Sequence, residues 1–339
     1  MNASLRWFAP AILIVPLVFS GPTVRAGAEE NAFGVFEYVI DRTAGSVEEA
    51  ANALEAALLA RGLNVLAKVD TGTPEGCSYK ARVFAVVDPQ YANKLMAANR
   101  RTAPFGVVDR INVFEDEKGV HVALVNPESV NRTILMDDRA YGDLSRAHTE
   151  TLREAIATAV PGTAVHREYG ETRVRGHIGK TMGVMAGGPF ADKVKDEFTV
   201  ASSDWKWVAA RVRAGLDRRG AKWGLKRVYE LELTEHETVV FGSTGTPMDT
   251  KSFSIVGAGA DKTRESFKCP GLAHAAAYPI EVVVARDGST VKVRLVDTMY
   301  RMKMFFEDAG KWAFMKNMGM PGSIHDEIAA QIKTELGPQ

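Results

Sequence analysis

Ser46-Val47-Glu48-Glu49-Ala50 opens a stretch that closes at Ala60-Arg61-Gly62 and runs on into Leu63-Asn64-Val65-Leu66-Ala67-Lys68-Val69. Ser46 can cap a helix, and Glu49 three residues later completes a capping box. Val47, Ala50, Ala51, Leu54, Ala57 and Leu58 recur at three- and four-residue spacing, which gives that helix a single apolar stripe. Gly62 stands where a helix end takes a left-handed residue, and the run after it reads as a strand. The same pattern returns at Asp204-Trp205-Lys206-Trp207-Val208, with a helix ending at Arg218-Arg219-Gly220 and Ala221–Val228 beyond it. Equivalents lie 157–158 residues apart (Gly62 to Gly220 is 158). The repeated unit is therefore a whole domain and not a short solenoid element.

Working outward, strands are expected at Phe33–Ile40, Leu63–Val69, Ala81–Val87, Arg110–Glu115 and Val120–Val125. Asp116-Glu117-Lys118-Gly119 makes a hairpin turn between the last two. Leu144, His148, Leu152, Ile156 and Val160 share one face of a closing helix that Pro161-Gly162 stops. The second copy repeats the order. Its strands are near Glu197–Ser202, Trp223–Leu231, Thr238–Ser243, Ile280–Ala285 and Val291–Asp297, and Trp205, Val208, Val212 and Leu216 form its helical stripe. The expected organisation is a first copy at 29–166, a Gly-rich linker at 167–195, and a second copy at 196–339 with an insertion at 245–278. The fold class is α+β: two copies of a strand-helix-four-strand-helix domain, each an antiparallel sheet covered by helices.

At 339 residues, 46% hydrophobic and 25% charged, the chain is long enough for two domains with their own cores. Lys plus Arg equal Asp plus Glu at 42 each, so there is no basic footprint for nucleic acid. Arg6, the apolar run Phe8–Phe19 and Ala26-Gly27-Ala28 are the three parts of a secretory signal at residues 1–28. The run is too short to serve comfortably as a membrane anchor, the alternative reading. Cleavage after Ala28 removes Arg6 and Arg25, leaving 40 basic against 42 acidic side chains and a periplasmic or secreted protein. No mature segment has the length of a membrane span. Cys77 and Cys269 fall one in each half, at non-equivalent positions. They are either an inter-domain bridge, which an oxidising compartment permits, or two separate thiols.

Asp88-Pro89 with Lys94-Leu95-Met96-Ala97-Ala98-Asn99, followed by Ile111-Asn112-Val113-Phe114-Glu115-Asp116-Glu117-Lys118-Gly119-Val120, resembles the core of the family called domain of unknown function 302. Val240-Phe241-Gly242-Ser243 and Met318-Gly319-Met320-Pro321-Gly322 resemble it more loosely in the second copy. The resemblance implies a tandem duplication in which a curved antiparallel sheet grips a long helix, similar to the TATA-binding-protein type. Single-domain relatives look like dimers, which implies that this chain is a fused, intramolecular pseudo-dimer. The family carries no established activity to transfer.

Enzyme signatures fail in turn. Gly176-His177-Ile178-Gly179-Lys180-Thr181 has the tail of a phosphate loop but Val174 where the first glycine belongs. Phe241–Gly245 lacks the spacing of a nucleophile elbow, and there is no Cys-x-x-Cys or His-Glu-x-x-His. Met299, Met302, Met304, Met315, Met318 and Met320 crowd the C-terminal region, and thioether sulfur suits Cu(I). As a metal set, Met315, Met318 and Met320 would act with His325 or His148. Against that, methionine and aromatic stripes commonly fill cores, and His148 sits on an apolar stripe as a core histidine would.

The leading expectation is an exported, non-enzymatic binding protein that holds a small, largely apolar ligand under a helix or between the copies. Trp205, Trp207, Trp223, Tyr278 and Trp312 mark the aromatic second copy as the binder and need no cofactor. The alternatives are a periplasmic copper-binding protein and a structural partner in an envelope complex.

Overall fold

Ser46 caps the first helix as its spacing requires: its hydroxyl accepts from the Glu49 backbone N–H, and the Glu49 carboxylate takes the Ser46 N–H in return at 2.8 Å. Gly62, at φ +77°, turns the chain out of that helix. The computed structural model describes residues 33–136, 138–173, 177–178, 187–257, 266–306 and 310–337. The export signal read at 1–28, residues 174–176 and 179–186 of the linker, and 258–265 of the insertion lie outside the described residues.

The first half runs β1 (Phe33–Thr43), α1 (Val47–Ala60), β2 (Asn64–Asp70), β3 (Ala81–Val87), α2 (Pro89–Ala98), β4 (Asp109–Asp116), β5 (Gly119–Val125), α3 (Pro127–Ile134), α4 (Gly142–Ala159) and β6 (Ala164–Arg173). A short passage follows: β7 (His177–Ile178), β8 (Gly188–Pro189) and α5 (Phe190–Lys193). The second half is β9 (Val194–Val200), α6 (Trp205–Leu216), β10 (Lys226–Leu233), β11 (Thr238–Thr244), α7 (Thr246–Gly257), β12 (Ile280–Asp287), β13 (Thr290–Val296), α8 (Thr298–Phe306), α9 (Lys311–Lys316) and α10 (Gly319–Leu336). The five strands expected in each half are present. α2 and α3 were not expected. Both begin with an Asx-Pro pair: the Asp88 carboxylate accepts from the Gln90 and Tyr91 N–H groups, and the Asn126 side chain accepts from Glu128 N–H. In the second half, α7 and a 3₁₀ helix at Pro270–Ala277 occupy the segment read as an insertion; α2 and a 3₁₀ turn at Ala103–Phe105 hold the same place in the first. β6 takes up the start of the Gly-rich segment.

Both main sheets are antiparallel and share a strand order. The first is β2-β3-β4-β5-β1-β6, and the second is β10-β11-β12-β13-β9. In each, the second strand of the chain lies at an edge and the first strand lies beside the last of the hairpin. One face of the first sheet is covered by α1 and α4, where Leu54, Leu58, Leu152 and Ile156 are buried against Phe84, Ile111 and Val122. In the second half α6 and α10 cover the equivalent face with Val208, Val212, Ile328 and Ile332.

The other faces are closed by the opposite half. The 3₁₀ helix 270–277 packs on β3, β4 and β5, while the 3₁₀ turn 103–105 packs on β11 and β12, and edge strands β2 and β10 meet. Two of the three apolar clusters therefore contain residues of both halves. Burying a 3₁₀ helix leaves carbonyls that need donors. The first half supplies them: Asn112 Nδ2 donates to Leu272 O at 2.8 Å, Tyr169 Oη to Ala273 O at 2.6 Å, and Arg110 Nη1 to Ala277 O at 3.3 Å.

The junction is also covalent. Cys77, in the β2–β3 loop, is bonded to Cys269, just before the 3₁₀ helix, with Cα atoms 6.1 Å apart. Nearby, Asp249 on α7 accepts from Gly72 N–H at 3.2 Å and from Thr244 Oγ1 at 2.8 Å. A Cβ at Gly72 would stand 2.4 Å from Thr246 O, so the approach requires glycine. Asp249 is 2% exposed, and burial raises its carboxyl to about 7 despite those two donors. A folded pKa above the unfolded one adds stability that is complete below about pH 4 and lost as pH rises through 7. Asp249→Asn keeps both hydrogen bonds, since the threonine hydroxyl can accept as well as donate. It is expected to raise unfolding free energy by about 2–4 kcal/mol at pH 8 and to change little at pH 4. Urea unfolding at the two pH values checks this; an equal effect at both would show that Asp249 stays neutral or stays charged throughout.

Candidate functional site

α8 starts where the Asp297 carboxylate accepts from Tyr300 N–H at 3.0 Å. Its Tyr300, Arg301, Met304 and Phe305 turn into the core, which leaves Met302 and Phe306 half-buried on another face. That face forms one wall of an apolar cleft, which α7, α9, α10 and the start of β12 complete. The cleft is partly open to solvent and has a cavity volume of about 60 Å³, and its walls include Tyr278, Arg301, Phe306, Phe314, Met320 and Ile324. Its apolar lining with a few polar groups is of the kind found in small-molecule sites.

The polar groups at the cleft are few. Tyr278 Oη and Ser252 Oγ are 2.7 Å apart, and burial pushes the phenol up to about 12, so it remains a neutral hydrogen-bonding group. Arg301 is 6% exposed. Its Nη2 donates to Ala277 O and, at 2.9 Å, to Pro279 O, and its guanidinium lies 5.4 Å from the Tyr278 ring centroid and 5.1 Å from that of Phe305. Behind it Glu281 accepts from Arg110 Nη1 at 2.7 Å and lies 3.5 Å from Arg301 Nε. All three charged side chains are buried. Burial depresses the Arg301 pKa, against the pull of Glu281.

The structure distributes the aromatic residues expected to bind ligand. Tyr278 alone among them lines the cleft. Trp205 is buried in the second-half core at the start of α6, and Trp223 is half-buried with its Nε1 donating to Ser323 Oγ at 3.1 Å. Trp207 and Trp312 are exposed. Of the sulfur and imidazole residues considered for copper, Met315 and Met318 are exposed and Met320 lines the cleft. His325, on α10, is half-buried beside Glu197 Oε2 at 3.0 Å. His148 lies in the other half. Its Nε2 is 2.8 Å from Asp109 Oδ2 and Tyr91 stacks on its ring at 3.6 Å. Burial opposes protonation of that ring, but Asp109 prevails and its pKa stands above the ordinary histidine value. Among the described residues no group of three or more His, Cys, Asp or Glu is placed to hold a metal ion, and no helix is long and apolar enough to cross a membrane.

Arg301, Glu281 and Arg110 were not among the expected site residues. They are separated by 20 and 171 positions in the chain, so no local spacing announces them. The signal that was available is compositional: Arg301 is a lone charge in an otherwise apolar helical stripe with Tyr300, Met304 and Phe305.

Among solved structures the chain is similar to "Crystal structure of uncharacterized conserved protein DUF302 from Bacillus stearothermophilus", at 16% identity over 37% of this chain and 98% of that one, with a TM-score of 0.33. A search of curated proteins found no match. The family comparison matches one stretch of the chain, residues 38–159, to the model described as Domain of unknown function DUF302.

Proposed function

We propose that the protein is an exported, non-enzymatic binding protein whose second half holds a small, largely apolar ligand in the cleft between α8, α10 and the start of β12. The observation that carries this reading is the cleft itself, apolar-walled with one hydroxyl pair and one buried cation at its side. Sites of that composition bury apolar ligands and orient them with a few polar groups. The disulfide supports export, because such bonds persist in oxidising compartments. The shared strand order and the reciprocal packing of the two 3₁₀ segments support a tandem duplication arranged as an intrachain pseudo-dimer, since an isologous interface places i on j and j on i.

The neutral fluorophore N-phenyl-1-naphthylamine tests the site. Its emission should rise on binding, and Met302→Trp or Met320→Trp, which add bulk to half-buried cleft positions, should weaken binding by about tenfold or more. Unchanged binding in both variants would place the ligand elsewhere.

A further inference from the structure

We infer that the occupant of this cleft is a slim apolar molecule ending in a carboxylate, and that Arg301 receives the carboxylate; the inference rests on the binding reading above. Charge balance is the first ground. Arg110 and Arg301 share one carboxylate, that of Glu281, and neither arginine has another ion pair among the described residues. Among the described residues, two guanidiniums against one carboxylate leave one unit of positive charge in a site where Arg110 is 3% and Arg301 6% exposed. Unbalanced charge in a low-dielectric interior is costly, and an opposite charge arriving there is attracted far more strongly than in water.

Hydrogen-bond capacity is the second ground. The hydrogen bonds of Arg301 all leave from Nη2, toward the Ala277 and Pro279 carbonyls. Its Nε has no hydrogen-bond acceptor, and Nη1 donates to nothing among the described residues. A guanidinium offers five N–H donors in a planar fork, and with Nη2 on the carbonyls and Nε facing Glu281, the Nη1 pair is left for a ligand. Of the two arginines, Arg301 is the one that lines the cleft. The remaining wall is aromatic and aliphatic, which suits a single chain or flat ring behind the head group. An ammonium head would meet like charge, and an alcohol would gain a weaker hydrogen bond than an anion does.

Three ten-carbon probes of equal length separate the alternatives: decanoate, decan-1-ol and decyltrimethylammonium, each competing with N-phenyl-1-naphthylamine on the full mature chain below its micelle concentration. Decanoate is expected to displace the fluorophore at a concentration about tenfold to a hundredfold lower than decan-1-ol, with the ammonium weakest. Arg301→Gln should erase the advantage of decanoate and shift displacement by decan-1-ol far less. If decan-1-ol displaces as well as decanoate from the unaltered protein, the head-group assignment falls and the apolar cleft stands. If the fluorophore does not bind, or none of the three displaces it, the binding reading falls and takes this one with it. The comparison on the unaltered protein decides the matter even if Arg301→Gln does not fold.

Discussion

Replacing Glu281 by glutamine is expected to lower the unfolding free energy by about 3–5 kcal/mol, because it strips two buried guanidiniums of the one carboxylate they pair with among the described residues. Both guanidiniums are buried, Arg110 3% and Arg301 6% exposed, so loss of their shared carboxylate leaves their charge without a partner. The pair substitution Arg110→Met with Glu281→Met is the informative control. It removes one charge of each sign, so the net charge of the cluster is what it was, and buried pairs replaced by apolar groups are often near neutral in stability. Its loss should therefore be smaller than that of Glu281→Gln alone. Urea unfolding of the single and double variants measures both, and a double variant as unstable as Glu281→Gln would mean that packing, not charge, sets the cost.

Removing the disulfide with Cys77→Ser and Cys269→Ser should cost about 3–5 kcal/mol. The two cysteines are 192 residues apart, so the bond closes a long loop and excludes many unfolded conformations. The bond also ties the β2–β3 loop to the chain just ahead of the 3₁₀ helix whose residues 271–277 are all buried against the first sheet. Reduction is accordingly expected to loosen that helix first, raising proteolytic cleavage in residues 266–277 before the strands give way. Equal midpoints in urea for oxidised and reduced protein would show that apolar contact between the halves suffices without the bond.

Much of the fold was legible because local chemistry announced it. The Ser46–Glu49 capping box, the turn at Gly62 and the apolar strand runs of β3 and β5 are each local features of the chain, and each forms as read. α2 and α3 were legible in principle through Asp88-Pro89 and Asn126-Pro127, but their apolar stripes are only about two turns long and merge with neighbouring strand patterns. The candidate site was barely legible. Of the residues singled out as candidates, Tyr278 and Met320 line it, one as an aromatic and the other as a copper ligand, and nothing near them in the chain points to Arg301 or Glu281.

The amino-acid sequence by itself determined the α+β class and the strands and first helices of both halves. These follow from periodicity and capping, which act over one or two turns. The tertiary structure decided the rest: that the halves close each other's sheets, that Cys77 meets Cys269, and that Arg110, Glu281 and Arg301 share one buried cluster beside a cleft. Those contacts join residues between 20 and 192 positions apart, a distance over which spacing carries no information. What selects them is the need of buried carbonyls, charges and apolar faces for partners, which only the assembled chain can supply.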